Sequence, residues 1–356
     1  MAYSAPELID FATAILTRAG LSTDRAGVVA DLLVEGDLMG HDTHGLAQLP
    51  SYVTELKKGT MKNSGEPEIV SNTGTVQVWD GNYLPGLWLT AKALDAASAV
   101  ARDTGIGVVS VRRSHHIGCL QAYLPSIVER GQMAILCCSD PHAASVAPHN
   151  GMDRVLTPNP IACGIPTKGD PILIDISASI TTNGMVARLA DEGKRLPGVW
   201  GRDGDGNPTS DPREVHGSAN GTLLPVGGID HGHKGYALAL MVEALTQALS
   251  GYGRAEKPKI WGASVLVQVY DPRCFAGYDS FVRQTTFVAN ASRSSRAAPG
   301  CSPVRLPGQS GMERKREALA NGLVLRADLI ARLQALAQGL ELTFPRGSLG
   351  RLEASA

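Results

Sequence analysis

From residue 74 onward the chain switches repeatedly between two hydrophobic periods. TVQVWDG alternates apolar and polar side chains and reads as a strand, and LWLTAKALDAASAVARDTG follows with helical spacing. GVVSVRRS, MAILCCSD and PILIDIS are further strands, and SVLVQVYDP is a late one. GYALALMVEALTQALSG is the strongest helix, with Leu238, Met241, Val242, Leu245 and Leu249 on one side. Such alternation of strands and helices argues for an α/β architecture. The polar, Pro/Gly-rich stretch 289–311 is expected to be a long loop. ADLIARLQALAQG closes the pattern as an amphipathic helix stopped at Gly339.

Ahead of residue 74 the pattern is helical. Ser4 and Glu7 form a capping box for a helix whose face is Leu8, Phe11, Ile15 and Leu16, ending at Gly20. A second helix starts near Ser22 or Thr23, carries Val28, Val29, Leu32 and Leu33, and runs out at Gly40. The next residues, HDTHG (41–45), therefore occupy a turn at a helix C-terminus. A length of 356 residues allows two domains. A net charge of −1 without charged runs gives no support to nucleic acid or an anionic membrane as partner. The N-terminus has no basic leader, and no segment approaches the ~18 apolar residues of a membrane span, so a soluble cytoplasmic protein is expected. The six cysteines form no CxxC pair and are expected to be free and buried, with Cys137 and Cys138 facing opposite sides of a strand.

Among nucleotide motifs, GIGVVS (105–110) has two of the three glycines of GxGxxG and leads into a strand instead of a helix; GxxxxGK[ST] is absent. GRDGDGNPTSDP (201–212) alternates Asp203, Asp205 and Asn207 but lacks the bidentate Glu of a calcium loop, so a tight turn is expected. In HGHKGYALAL (231–240), His233 and Lys234 stand where the long helix begins, which fits a phosphate site or a solvated capping turn. RRSHHIG (112–118) puts two arginines and two histidines at a strand end, a common place for a site in an α/β sheet. Histidine is the side chain best suited to moving a proton near neutral pH. Neither His cluster pairs i,i+4 histidines with a Glu, and no cysteine stands at ligand spacing in the chain, so no metal is expected.

Taken in order, DTHG–LPSY, SHHIG, TPNPIACGIP, LIDISAS, DGNPTSDP, LLPVGG–GHKGYALALMVE and RLPG resemble the malate/L-lactate dehydrogenase family, which is unrelated to Rossmann dehydrogenases. That family also holds sulfolactate and ureidoglycolate dehydrogenases and the diketogulonate and piperideine-2-carboxylate reductases. The resemblance spans about residues 5–345. It implies a mixed, largely antiparallel sheet with flanking helices, a non-Rossmann NAD(P)-binding fold of the L-sulfolactate/malate dehydrogenase type. It also implies a homodimer whose site is completed across the interface. The implied division is residues 1–75 as a helical substrate part, 76–311 as the NAD(P)-binding domain, and 312–356 as a helical segment packing on the first.

The resemblance places Thr43, His44 and His116 at the catalytic centre, with either histidine as the proton-transfer group and Thr43 orienting His44. Gln48, Tyr52, Thr157 and Arg112 become expected substrate contacts. Expected NAD or NADP contacts are His116, Ile117, Gly118, Cys119 and Leu120, then Asn159, then Asp175, Ile176 and Ser177. Leu224 and Pro225, His233 and Lys234, and Val304, Arg305, Leu306 and Pro307 complete that set. Three positions depart from the family pattern. Gln48 replaces a frequent Arg that grips the substrate carboxylate, so that group must find Arg112, Arg113 or another cation, or the substrate differs. Met185 stands where imine reductases carry an Asp, and His115 replaces an Asn beside His116. The expected activity is interconversion of a small 2-hydroxy acid and its 2-oxo acid with NAD(P), through a histidine of neutral-range pKa. Cyclic imine reduction, a non-catalytic small-molecule binder and a metal-dependent hydrolase are the alternatives.

Overall fold

The Ser4 hydroxyl accepts the Glu7 amide while the Glu7 carboxylate accepts the Ser4 amide, and this box starts α1 (Ala5–Arg18). The computed structural model describes residues 1–217 and 220–347. After α1 come α2 (Thr23–Leu38) and α3 (Leu49–Lys58), each turning one apolar face inward. Leu8, Ile15, Leu33 and Tyr52 from these helices share a core with Leu329 and Leu333 of a C-terminal helix, Ala327–Gln338. The two ends of the chain thus build one hydrophobic cluster.

The middle of the chain forms a seven-stranded sheet among the described residues. Its strands, numbered within it, are β1 (Glu68–Asn72), β2 (Val76–Asp80), β3 (Ile106–Ser114), β4 (Met133–Ser139), β5 (Ile161–Ile165), β6 (Ile172–Ile176) and β7 (Ala263–Tyr270). The spatial order is β1-β2-β3-β7-β4-β5-β6, and only β2 and β3 run parallel. The sheet is therefore mixed and mostly antiparallel, as the family resemblance implied. The β1–β2 hairpin crosses residue 75, so the sheet begins ahead of residue 76. Helix α4 (Gly86–Thr104) seals one sheet face with Leu89, Ala93 and Ala97 against Val109, Val111 and Val267. On the other face Val242 meets Cys137 and Leu266.

Several sequence expectations change. The helix expected from about 233 begins at Gly228 and reaches Glu243 with a kink at His231, so His233 and Lys234 lie inside it, exposed, and not at its N-terminus. Residues Ala244–Ala248 then form a π turn. The extra residue in that turn rotates the face, so Thr246 and Gln247 point inward to Ser139 while Met241 and Leu249 are exposed. The loop expected over 289–311 shrinks to 294–308, between helices Tyr278–Arg293 and Gln309–Asn321. Those helices fully bury only Val282 and Ala289 in the first and Gly311 in the second, so they carry no apolar stripe to read. The acidic turn at 203–207 is a hairpin corner in which the Asp203 carboxylate accepts the Asp205 and Asn207 amides. Cys119 and Cys137 are buried, Cys138 and Cys163 partly so, but Cys274 and Cys301 are exposed. No helix among the described residues is long and apolar enough to cross a membrane.

Gly86, the first residue of α4, lies against the His115 and His116 carbonyl oxygens, leaving no room for a Cβ. Gly86→Ala should cost about 1–3 kcal/mol through overpacking, read as a lower denaturation midpoint. Unchanged stability would mean that the helix start can slide away from the histidine strand end.

Candidate active site

Asp37 sits on the inner stripe of α2, four residues beyond Leu33, and is 7% exposed. Its Oδ2 accepts the Leu46 amide at 2.7 Å, and Gly45 presses on the same carboxylate so closely that a Cβ would overlap it. This contact folds the 41–45 turn back over the helix end. The His44 amide then donates to the His41 carbonyl, and His44 Nδ1 lies 2.9 Å from Thr43 Oγ1. Gln48 donates through Nε2 to the Thr43 carbonyl at 2.7 Å.

The second histidine comes from just past β3. His115 and His116 follow Ser114, and the two residues take opposite directions. His115 is fully buried, with Nε2 3.9 Å from the Glu55 carboxylate. His116 faces the same cleft as His44, their rings 5.8 Å apart. Tyr52 is 1% exposed and its hydroxyl meets His116 Nδ1 at 2.7 Å. Tyr52 was expected to touch substrate; it stands behind His116 and orients the ring instead. Trp261, just ahead of β7, stacks on the other side of His116 at 4.8 Å.

The cleft between them measures about 730 Å³. Thr43, His44, Gln48, Thr157 and Asn159 line it, as do Ile117, Gly118, Cys119, Leu120, Asp175 and Ser177. Thr157 donates to Asn159 Oδ1, and Asn159 donates to Glu243, so this wall is held by a buried network. Asp175 accepts the Gln121 amide at 2.9 Å. A neighbouring hollow of about 600 Å³ is lined by Arg305, Leu306, Pro307 and Gln121, and His41 borders both spaces.

Other expected site residues lie elsewhere. Arg112 and Arg113 both bind Asp80 and do not line the cleft, so neither serves as the missing carboxylate clamp. Ile176 alternates away from Asp175 and is 50% exposed on the far side of its strand. Leu224 and Pro225 are buried and pair through their backbone with 178–180, supporting the cleft wall from behind. Val304 is exposed outside both spaces, and His233 and Lys234 are on the outer surface.

Burial dominates the electrostatics. It pulls His44 down to about 4, with His41 acting in the same direction. It pulls His116 well below the usual imidazole range, with His44 and His115 adding to the effect. His115 also falls to about 4 through burial, against the pull of Glu55. Both cleft imidazoles are therefore neutral at pH 7, which corrects the expectation of a neutral-range pKa. Burial pushes Asp37 up to about 7 despite its amide donor.

Trp261 and Asp37 escaped the sequence reading. An acid at i+4 from a buried Leu just before a Gly turn was the available signal for Asp37; a lone Trp between Ile and Gly carries none. His41, Cys119 and Asp175 bring donor atoms within 4.8 Å of one another, a grouping of possible metal ligands that distance along the chain concealed. Two of the three are already engaged, His41 with the Gln121 side chain and Asp175 with its amide.

A non-Rossmann sheet holding two neutral imidazoles over one cleft defines an oxidoreductase fold of the L-sulfolactate/malate dehydrogenase type. The malate/L-lactate dehydrogenase family model matches residues 3–334, and the chain belongs to that family. It is 30% identical to the malate/(S)-sulfolactate dehydrogenase of Methanothermus fervidus, over 92% of this chain and 95% of that protein. It is 31% identical to a delta(1)-pyrroline-2-carboxylate/delta(1)-piperideine-2-carboxylate reductase of Pseudomonas syringae pv. tomato, over 94% and 96%. The crystal structure of malate dehydrogenase from Entamoeba histolytica superposes with a TM-score of 0.91 at 26% identity, covering 97% of this chain and 99% of that one.

Because native Asp37 keeps its proton up to about 7 and an unfolded aspartate releases it near ~4, the native state binds more protons between those values. Stability should therefore fall as pH rises through that window, by on the order of 4 kcal/mol at most. Asp37→Asn keeps an acceptor for the Leu46 amide and removes the titration. Its melting temperature should change less between pH ~5 and ~8 than that of the wild type. Equal pH slopes in the two proteins would show that Asp37 is not the group responsible.

Proposed function

We propose that the protein is an NAD(P)-dependent dehydrogenase that interconverts a small 2-hydroxy acid and its 2-oxo acid. One observation carries this reading. His44 and His116 face one cleft, and each has its Nδ1 tied to a hydroxyl, Thr43 or Tyr52. In the tautomer that donates Nδ1–H to that hydroxyl, Nε2 is bare and can take a proton.

The cleft and the adjoining hollow suit a ligand with two lobes, which supports a dinucleotide. Gly118, Cys119, Leu120, Asp175 and Ser177 would hold it in the cleft, and Arg305, Leu306 and Pro307 in the hollow. When bound, NAD(P) supplies the hydride acceptor or donor. The chain does the rest. In oxidation one neutral imidazole removes the hydroxyl proton; in reduction the same ring, protonated, returns it. Trp261 and Tyr52 fix the His116 plane, and the closed wall around Thr157 and Asn159 limits water. Imine reduction is a second reading, favoured by the reductase relative at 31% identity and weakened by Met185 in place of an acid.

A homodimer fits the surface. Ile229, Leu240, Met241 and Leu249 leave an apolar band exposed on and beyond the Gly228–Glu243 helix, beside the exposed His233 and Lys234. A second copy covering that band would bring those two residues to its own cleft. Light scattering should return about twice 37.4 kDa; a monomer that binds cofactor with full affinity rejects this.

His44→Ala and His116→Ala should each lower turnover, the proton-transfer residue by ~10²–10⁴-fold. Wild-type rates in both would remove histidine from the mechanism. Neutral buried imidazoles also set the pH profile. The kcat/KM for oxidation should stay flat from pH ~8 to ~5, without a break near the free-histidine value of ~6.5. A fall centred there would assign the proton to a solvent-exposed group. A purified protein holding tight stoichiometric zinc and no dehydrogenase activity would favour a hydrolase.

A further inference from the structure

We propose that this cleft selects acids whose side chain is uncharged and apolar, and discriminates against those with a second anionic group. The inference rests on the dehydrogenase reading and names its substrate class. It stands on where every nearby cation is spent. No Arg or Lys lines the cleft among the described residues. Arg112 and Arg113 close on the buried Asp80 carboxylate. Arg188 lies behind Met185, its guanidinium 3.0 Å from the Met185 sulfur and 3.1 Å from Asp42. Arg254 is 3.0 Å from Glu243 and also donates to the Ala143 carbonyl. Releasing any of them would leave a largely buried carboxylate unpaired, which is costly.

The charged groups that do line the cleft have the wrong sign. Asp140 and Asp175 are both there, and burial raises the pKa of each because the surroundings resist anionic charge. The carboxylate common to all these acids can be held by neutral N–H and O–H donors such as Thr43, Thr157 and Asn183. A second anion would face two acids with no cation to meet it. Next to the imidazoles the wall is instead apolar: Trp261 against His116, with Ile180, Met185 and Ala263. Gln48, at the position that could have supplied a cation, spends its amide donor on the Thr43 carbonyl.

The test compares near-isosteres. Oxaloacetate and 4-methyl-2-oxopentanoate have similar side-chain shape and differ in charge. Wild-type kcat/KM, measured with both cofactors, should favour the uncharged acid at least ~10-fold, since charge-assisted pairing contributes about that much where it exists. Gln48→Arg should narrow the ratio by restoring a cation to the wall. A wild-type preference for oxaloacetate, or equal use of both, overturns the inference while leaving the dehydrogenase reading intact. No turnover of either acid, or of pyruvate and phenylpyruvate, overturns that reading and the inference with it. Should the variant fail to fold, the wild-type ratio decides alone.

Discussion

Everything catalytic about this cleft hangs from one carboxylate without solvent. Asp37 takes the Leu46 amide and receives the bare Cα of Gly45, so the chain must reverse immediately after α2. The reversal sets Thr43 and His44 on the cleft wall and starts α3 in the direction that brings Tyr52 to His116. An amide facing a buried acid is a short, directional contact in a low-dielectric setting, where such bonds are strong and their loss is severe. The N-terminal helices are thereby part of the site, although most of their atoms lie in a different core.

The second organising effect is desolvation. Tyr52, Trp261 and the β3 strand end enclose His116 so well that its charged form is disfavoured. Packing around His44 does the same. Two imidazoles whose rings lie 5.8 Å apart could not both carry charge in such a place. The arrangement keeps at most one proton in the pair at a time, which is what a site handling a single substrate proton requires.

Periodicity made much of this architecture legible. The capping box at Ser4, the β3 and β7 runs and the Gly339 stop all fall where the sequence indicates, because each depends on neighbours within a turn or two. The Thr43–His44 bond was legible for the same reason. Tyr52 was visible as a motif residue, but whether it met substrate or imidazole depended on a contact across 64 residues. Arg112 looked available until Asp80, 32 residues away on the neighbouring strand, claimed it. Helices such as Gln309–Asn321, nearly all polar, are held by what they lean on and leave little pattern behind.

The shared core of the chain ends also has a consequence in time. Helices α1 to α3 emerge first, yet their apolar faces are completed by Leu329, Leu333, Leu340 and Phe344. At ~5–20 residues per second, a ribosome takes roughly 13–50 s to travel from the end of that first block to those closing residues. Throughout that interval the nascent chain displays an unfinished hydrophobic surface while the sheet assembles behind it. Its hazard during synthesis is therefore set by the order in which its parts are made, and a chaperone would find its binding site at the front of the chain.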